Sequence, residues 1–230
     1  MREFKKLDKK FQNEEVKYYY DILRKKRMSL VTKKIFDKIL ALLLLILLSP
    51  IFFVLIILIK LDSEGEIFYR QQRITTYGKE FKIFKFRTMV KNAEKLGTSV
   101  TLQDDKRITR VGKKIRKVRL DELPQLINIL IGDMTFVGTR PEVKKYVDKY
   151  SSSMYATLLM PAGITSVASI NYKDEDDEFT KYSSSKMTID EIYIEKILPQ
   201  KMKYNLEYLE NFSFLEDIKI MIKTFIEVIR

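Results

Sequence analysis

The longest hydrophobic run in the chain covers residues 39–59, where 19 of 21 positions are apolar and Lys38 and Lys60 stand at the two ends. As a straight helix this run would be about 32 Å long, enough to cross the hydrocarbon core of a bilayer. It begins too late in the chain, and is too long, for a cleavable signal sequence. The run therefore predicts a membrane segment, and a single transmembrane span is its simplest form.

Two features favour a different path through the membrane. Ser49 and Pro50 stand at the middle of the run, and a proline inside a helix removes a backbone hydrogen bond and bends the chain. Each half would then be about 15 Å long, half the thickness of the hydrocarbon core. Lys and Arg flank the run on both sides, and these residues mark the cytoplasmic face. We therefore predict a re-entrant helix-break-helix with Ser49 and Pro50 at the membrane bend, where the Ser49 hydroxyl bonds freed backbone groups.

The pattern after the apolar run combines strands and helices. Residues 66–89 alternate as a β-hairpin with Tyr77 and Gly78 in its turn. Residues 120–131 form an apolar, helix-like run that follows a basic segment. We therefore predict an α+β fold, in which a re-entrant membrane helix-break-helix is joined to a small β-hairpin and amphipathic helices.

Two amphipathic helices are predicted at the end of the chain. The first covers residues 196–210, and the second follows a capping box formed by Ser213 and Glu216. We expect the apolar faces of both helices to lie in the core, and a membrane-binding face is the alternative. In the second helix that face consists of Leu215, Ile218, Ile222, Phe225 and Ile229.

The start of the chain is rich in charged and aromatic residues. Residues 1–30 are predicted to be a basic, helical segment on the lipid headgroups, and a mobile basic tail is the alternative. The predicted organisation has three parts: this segment at 1–30, the re-entrant membrane hairpin at 31–60, and a cytoplasmic catalytic domain at 61–230.

Composition excludes several kinds of chemistry. The 230 residues include no Cys and no His, so disulfides, imidazole metal sites and catalysis by a Ser-His-Asp triad are ruled out. The net charge is +12 and is unevenly placed. Residues 60–119 carry 17 basic and 7 acidic side chains, whereas residues 121–230 carry 13 and 18. The positive charge therefore flanks the membrane run, where it would face anionic headgroups.

The strongest candidate chemistry is the acidic pair Asp121 and Glu122, which opens the apolar run at 120–131. Acidic residues are common in the first turn of a helix because they interact favourably with its dipole, and that explanation stays open. A carboxylate among Lys and Arg side chains is instead biased toward its ionised form and can act as a covalent nucleophile. Arg87 and Arg140 offer bidentate bonds to phosphate, or ordinary ion pairs with acidic residues.

A series of short motifs extends from residue 32 to the end of the chain. In order they are Lys33-Lys34-Ile-Phe-Asp37, Ser49-Pro50, Leu61-Asp-Ser63, Gln71-x-Arg73, Lys85-Phe-Arg-Thr-Met89, Thr109-Arg-Val-Gly112, Leu120-Asp-Glu-Leu-Pro-Gln-Leu126, Gly132-Asp-Met134, Arg140-Pro141, Gly163-Ile-Thr165 and Asn205-Leu-Glu-Tyr208. Each motif is weak alone, but together and in this order the chain resembles the bacterial sugar transferase family of monotopic phosphoglycosyl transferases.

The resemblance implies a reaction and a cofactor. Asp121 would attack the β-phosphate of a UDP-sugar, release UMP and pass the phosphosugar to polyprenol (undecaprenyl) phosphate. Mg²⁺ would be required, with Asp121 as its protein contact, and Glu122 would serve in acid/base or acceptor handling. The residues expected to bind substrate are Lys85, Arg87, Arg110, Arg140 and Pro141.

The resemblance also implies where the protein works. It places the chain on the cytoplasmic face of a bacterial inner membrane, in contact with membrane lipid, UDP-sugar and polyprenol phosphate but not with nucleic acid. Thr139 and Ala162 stand where the family has proline, so these two loops lack the fixed φ of a proline ring. A membrane-tethered basic module that binds anionic lipid or nucleic acid is the competing hypothesis. The sugar and the oligomeric state, a homodimer included, stay open.

Overall fold

The computed structural model describes residues 1–93, 105–172, 175–182, 185 and 187–229. In these residues eleven α-helices and four β-strands are formed, joined by short 3₁₀ and π-helical turns. The helices are α1 Glu14–Lys25, α2 Arg27–Leu47, α3 Ser49–Asp62, α4 Arg110–Lys117, α5 Gln125–Ile131, α6 Lys144–Val147, α7 Val167–Asn171, α8 Glu175–Thr180, α9 Ile189–Ile192, α10 Leu198–Asn211 and α11 Phe214–Ile229. The strands are β1 Phe68–Ile74, β2 Glu80–Phe86, β3 Met134–Val137 and β4 Ala162–Thr165. This mixture of helices with two small sheets is compatible with the predicted α+β class.

The apolar run breaks where the sequence places Ser49 and Pro50. Helices α2 and α3 meet there at an angle of 63°, and the Ser49 hydroxyl donates a 2.8 Å hydrogen bond to the carbonyl of Ile46. Pro50 lies in the first turn of α3, where a missing N–H leaves no hydrogen bond unmade. Among the described helices, none is by itself both long and apolar enough to cross a membrane, whereas the bent pair α2–α3 meets both conditions.

Each of the two sheets has two strands. Strands β1 and β2 form the predicted antiparallel hairpin, with Phe68 opposite Phe86, and the turn residues Tyr77 and Gly78 both have positive φ. Strands β3 and β4 pair in parallel and were not foreseen. Their ends approach so closely that a Cβ on Gly138 would lie 2.7 Å from the carbonyl oxygen of Pro161.

The start of the chain is packed against the largest core cluster. Short 3₁₀ turns and α1 are helical, as expected for residues 1–30. Neither sequence interpretation anticipated that apolar side chains of this segment are buried in that cluster. Five of them are Leu7, Phe11, Val16, Tyr20 and Leu23. The segment therefore has one packed face, whatever its outer face contacts.

The last helix differs from the prediction. Met202 and Leu209 of α10 are buried, as expected. In α11, however, Leu215, Ile222 and Phe225 are between 57% and 73% exposed, so the expectation that this apolar face lies in the core is wrong. The helix instead buries Ile220 and the charged Asp217. Periodicity identified the apolar stripe of α11 but could not show which neighbour, if any, covers it.

Asp217 belongs to a buried polar cluster that joins α11 to α2. The ammonium of Lys33 on α2 lies 2.6 Å from Asp217 Oδ2 and 3.5 Å from Asp37 Oδ2. The Tyr208 hydroxyl of α10 donates to Asp217 Oδ1 at 2.6 Å, and the Thr135 hydroxyl of β3 donates to Asp37. All three charged side chains are at most 6% exposed. The cluster therefore fixes helix α2 against the body of the protein.

Candidate active site

The acidic pair lies on a tight turn between two helices. Helix α4 ends at Lys117, and Arg119 then adopts a left-handed conformation with φ 54°, which is strained for a residue that is not glycine. Leu120–Glu122 forms a 3₁₀ turn, and α5 begins only at Gln125. The expectation that a helix opens at Asp121 is therefore corrected: both carboxylates precede the helix, and both are buried.

The predicted residues Lys85 and Arg140 meet at Glu122. The Lys85 ammonium, on β2, lies 2.7 Å from Glu122 Oε1. The Arg140 guanidinium, just after β3, lies 2.6 Å from the same oxygen and 3.4 Å from Oε2. The ion pair considered for Arg140 thus exists, and its partner is one of the two candidate catalytic carboxylates. Lys85, Glu122 and Arg140 are called the Glu122 triad below.

The pKa values of the two neighbouring carboxylates are shifted in opposite directions. Burial would raise the pKa of Glu122, but the charges of Arg140 and Lys85 outweigh it, and the pKa falls well below its usual value. Burial raises the pKa of Asp121, which Lys85 opposes only in part. Among the described residues Asp121 has no hydrogen-bond or ion-pair partner. The nearby cations thus favour the ionised form of both carboxylates, as expected, but they outweigh burial only at Glu122.

Two side chains that the sequence interpretation missed hold the site together. Asn128 of α5 accepts a 2.8 Å hydrogen bond from the Phe84 amide and donates a 3.1 Å bond to the Lys82 carbonyl. This fixes the acidic turn against the strand that carries Lys85. Arg73 of β1 donates a 3.0 Å bond to the carbonyl of Pro141, beside Arg140. Asn128 could have been noticed as a polar side chain with apolar residues on both sides in the helix.

Arg87, Arg110 and Pro141 are not part of the Glu122 triad. Arg87 is buried and donates to the carbonyls of Glu66, Ser63 and Ile59 at 2.6, 2.5 and 3.1 Å, so its hydrogen bonds stabilise the end of α3. Arg87 therefore has a structural role at the end of α3, and its binding of substrate stays a prediction. Arg110 is exposed at the first position of α4. Pro141 contributes its carbonyl to Arg73 and is buried.

Buried polar atoms without partners lie beside the charged residues in sequence. Gln125 Nε2, four residues after Asp121, and Thr139 Oγ1, next to Arg140, have no hydrogen-bond partner among the described residues. Buried polar groups are usually satisfied, so such atoms need an explanation, and an absent ligand is one. Among the residues that the structure describes, no group of three or more acidic side chains is placed to hold a metal ion.

Comparison with known proteins agrees with these motifs. The model of one protein family, described as bacterial sugar transferase, matches residues 28–230. The chain belongs to the bacterial sugar transferase family. The matched region contains α2 and α3, the Glu122 triad and Asp121.

Three curated relatives share about a third of their residues with the chain. The UDP-N-acetylgalactosamine-undecaprenyl-phosphate N-acetylgalactosaminephosphotransferase of Aeromonas hydrophila is 34% identical over 84% of the chain and 42% of its own length. The UDP-glucose:undecaprenyl-phosphate glucose-1-phosphate transferase of Escherichia coli K12 is 35% identical over 84% of the chain and 39% of its own length. The exopolysaccharide production protein ExoY of Sinorhizobium fredii is 34% identical over 84% of both chains. The chain thus spans less than half of two of these relatives.

Proposed function

We propose that this protein is a phosphoglycosyl transferase that moves a sugar-1-phosphate from a UDP-sugar to polyprenol (undecaprenyl) phosphate in bacterial glycan assembly. The relatives in Aeromonas and Escherichia are named for such transfers. The observation that carries the proposal is the pair of adjacent carboxylates, in which Asp121 lacks a partner and Glu122 is held by two cations. Neighbouring acids with divergent pKa values are typical of sites that use them in different roles.

Asp121 is the nucleophile in this proposal. Its carboxylate oxygen attacks the β-phosphorus of the UDP-sugar, the bond from that phosphorus to the bridging oxygen breaks, and UMP leaves with the electron pair. The product is an aspartyl phosphosugar. A phosphate oxygen of polyprenol phosphate then attacks the same phosphorus, the bond to Asp121 breaks, and the carboxylate is restored. Lys85 and Arg140 occupy both oxygens of Glu122, whereas no described side chain bonds an oxygen of Asp121, which favours Asp121 as the nucleophile.

The other members of the site position charge. Glu122 is a poor proton acceptor near neutral pH because its pKa is lowered, so we assign it the placement of Lys85 and Arg140 rather than general base catalysis. Those two cations face the negative charge that develops on the transferring phosphate. The strained residue Arg119 and the side chain of Asn128 fix the turn that presents Asp121.

Mg²⁺ fits this site as a partner of the substrate. Mg²⁺ in phosphoryl-transfer sites is commonly held by one or two carboxylates together with substrate phosphates. Asp121 offers a carboxylate that no described side chain engages, so it would hold the ion with the diphosphate oxygens. The bound ion would supply charge neutralisation at the diphosphate.

The bent helix pair is proposed to enter the cytoplasmic face of the bacterial inner membrane and return to it. Large apolar side chains along α2 and α3 are exposed, including Leu47 at 73%, Phe53 at 66% and Leu61 at 80%. Exposed apolar area of this extent marks contact with a membrane or with another protein. Basic side chains on both flanks of the pair would then face the headgroups.

The proposal is tested by release of UMP. Purified protein with Mg²⁺, polyprenol phosphate and a panel of UDP-sugars should release UMP from at least one of them, and Asp121→Asn should abolish release. Asp148→Asn, which changes an exposed acid that follows α6 and pairs with the exposed Lys144, should leave release unchanged. A wild-type protein that binds anionic vesicles but releases no UMP from any UDP-sugar would support the membrane-tethered binding module, which family membership does not favour.

A further inference from the structure

A cavity of about 230 Å³ adjoins the Glu122 triad. Helices α2, α5, α7 and α11 and strands β3 and β4 contribute its walls. Seven of the thirteen lining side chains are apolar: Leu44, Leu48, Leu123, Leu126, Phe136, Ile164 and Ile170. The charged side chains in the lining are Arg119, Glu122 and Glu227. The cavity is therefore a largely apolar chamber with one end at the turn Leu120–Glu122.

The walls of the cavity connect it to surfaces that we propose to contact lipid. Leu44 and Leu48 lie at the end of α2, beside Leu47, which is 73% exposed. Thr224 lines the cavity from α11, beside Phe225 and Ile226, which are 67% and 57% exposed. An apolar ligand could therefore pass from a membrane into the cavity without crossing water, which favours a lipid over a soluble occupant.

The charge at the catalytic end selects the chemistry of the occupant. Glu122, which the cavity contacts, is bonded to Lys85 and Arg140 at 2.7 and 2.6 Å, and Arg119 also lines the cavity. Arg119 is thus the lining cation, and Lys85 and Arg140 adjoin the cavity through Glu122. Cations here suit a phosphate, and the apolar lining suits a hydrocarbon chain. The volume is smaller than the roughly 300–1,000 Å³ of typical pockets for whole small molecules. Only the first part of a long chain fits inside.

We propose that this cavity holds the phosphate-proximal isoprenoid units of the lipid phosphate acceptor, an inference that rests on the proposed function. The acceptor phosphate would lie at the Lys85 and Arg140 end, near Asp121, and the remainder of the chain would leave between α2 and α11 toward the membrane. The cavity thereby serves the second half of the reaction only, because the UDP-sugar needs no apolar chamber.

Fluorescence can test occupancy without turnover, because the chain contains no tryptophan. Phe136→Trp places one indole on the cavity wall, and Ile131→Trp places one on α5 at a residue that is 60% exposed and outside the lining. In detergent micelles, polyprenyl phosphate should shift Phe136→Trp emission to the blue and saturate, while Ile131→Trp emission stays fixed. An equal saturating shift with phosphatidylglycerol would overturn the isoprenoid assignment in favour of a site for lipids in general. A shift that depends on protein concentration in the absence of lipid would overturn it in favour of a second copy of the chain.

Kinetics separate this inference from the proposed function. Ile170→Trp narrows the cavity and should raise the KM for polyprenyl phosphate about tenfold or more. It should leave exchange of labelled UMP into UDP-sugar, which needs no acceptor, near the wild-type rate. Ile131→Trp should change neither quantity. Normal exchange together with an unchanged acceptor KM would overturn the cavity assignment and leave the proposed function intact. If wild type shows no exchange but Phe136→Trp still responds to polyprenyl phosphate, the proposed function fails and the lipid site stands.

Discussion

Replacing Lys33 by methionine should destabilise the fold severely. Lys33 is the cation shared by Asp37 and Asp217, and all three side chains are at most 6% exposed. Methionine keeps much of the side-chain volume but leaves two buried carboxylates without a counter-charge. Removal of one partner from a buried ion pair costs about 3–5 kcal/mol. For a chain of this length that loss lowers the melting temperature by about 10 °C.

The loss should depend on pH in a defined direction. Burial raises the pKa of Asp217, and Lys33 opposes that effect; in Lys33→Met the folded-state pKa must therefore rise further. When the pKa of a carboxyl is higher in the folded state than in the unfolded state, the protein loses stability as the pH rises from the unfolded-state pKa to above the folded-state pKa. The deficit of Lys33→Met relative to wild type should therefore be smallest near pH 4 and should grow toward neutrality.

Thermal unfolding in detergent, followed by circular dichroism, measures both effects. Lys34→Met is the matched control, because Lys34 is the next residue on α2 and is exposed; its melting temperature should stay close to that of wild type. Lys33→Met/Asp217→Asn removes one orphaned charge and should recover about half of the loss. A Lys33→Met protein as stable as Lys34→Met, or a double variant less stable than the single one, would refute the assigned role of the cluster.

Three further predictions concern the site and the membrane face. Lys85→Met should move the acid limb of the kcat/KM profile for UDP-sugar to higher pH, because the Lys85 charge lowers the pKa of Asp121; an unmoved limb would contradict that coupling. Arg140→Lys keeps the charge but loses one of two hydrogen bonds to Glu122, and kcat should fall about tenfold with little change in melting temperature. Phe225→Asp should reduce flotation with anionic vesicles, since Phe225 is 67% exposed on α11; unaltered flotation would show that this face does not meet lipid.

Local patterns in the sequence predicted much of the backbone. The break at Ser49 and Pro50 and the hairpin turn at Tyr77 and Gly78 follow from chain chemistry within a few residues. The pairing of β3 with β4 was missed because it joins segments 28 residues apart, from Met134 to Ala162, and each strand has only four residues. Such short strands carry no usable alternation.

Side-chain partners could be predicted less well than elements. The meeting of Lys85, Glu122 and Arg140 was expected only from motifs, since the three lie on separate elements. Arg87 shows the limit of that approach, because a guanidinium suits phosphate and backbone carbonyls equally, and here it bonds the carbonyls at the end of α3. The exposed face of α11 shows the same limit for apolar residues. An amphipathic stripe indicates that something covers the face but does not identify what.

Mass spectrometry tests most directly whether Asp121 becomes covalently bonded to a sugar phosphate during the reaction. Wild-type protein is mixed with UDP-sugar and Mg²⁺ without acceptor, quenched in acid and digested, and the peptide containing Asp121 is sequenced. We expect a mass increase of one sugar phosphate on Asp121, absent from Asp121→Asn and lost when polyprenol phosphate is added before the quench. An adduct on another residue, or accumulation of lipid product with the Asp121 peptide unmodified at every time point, would contradict it.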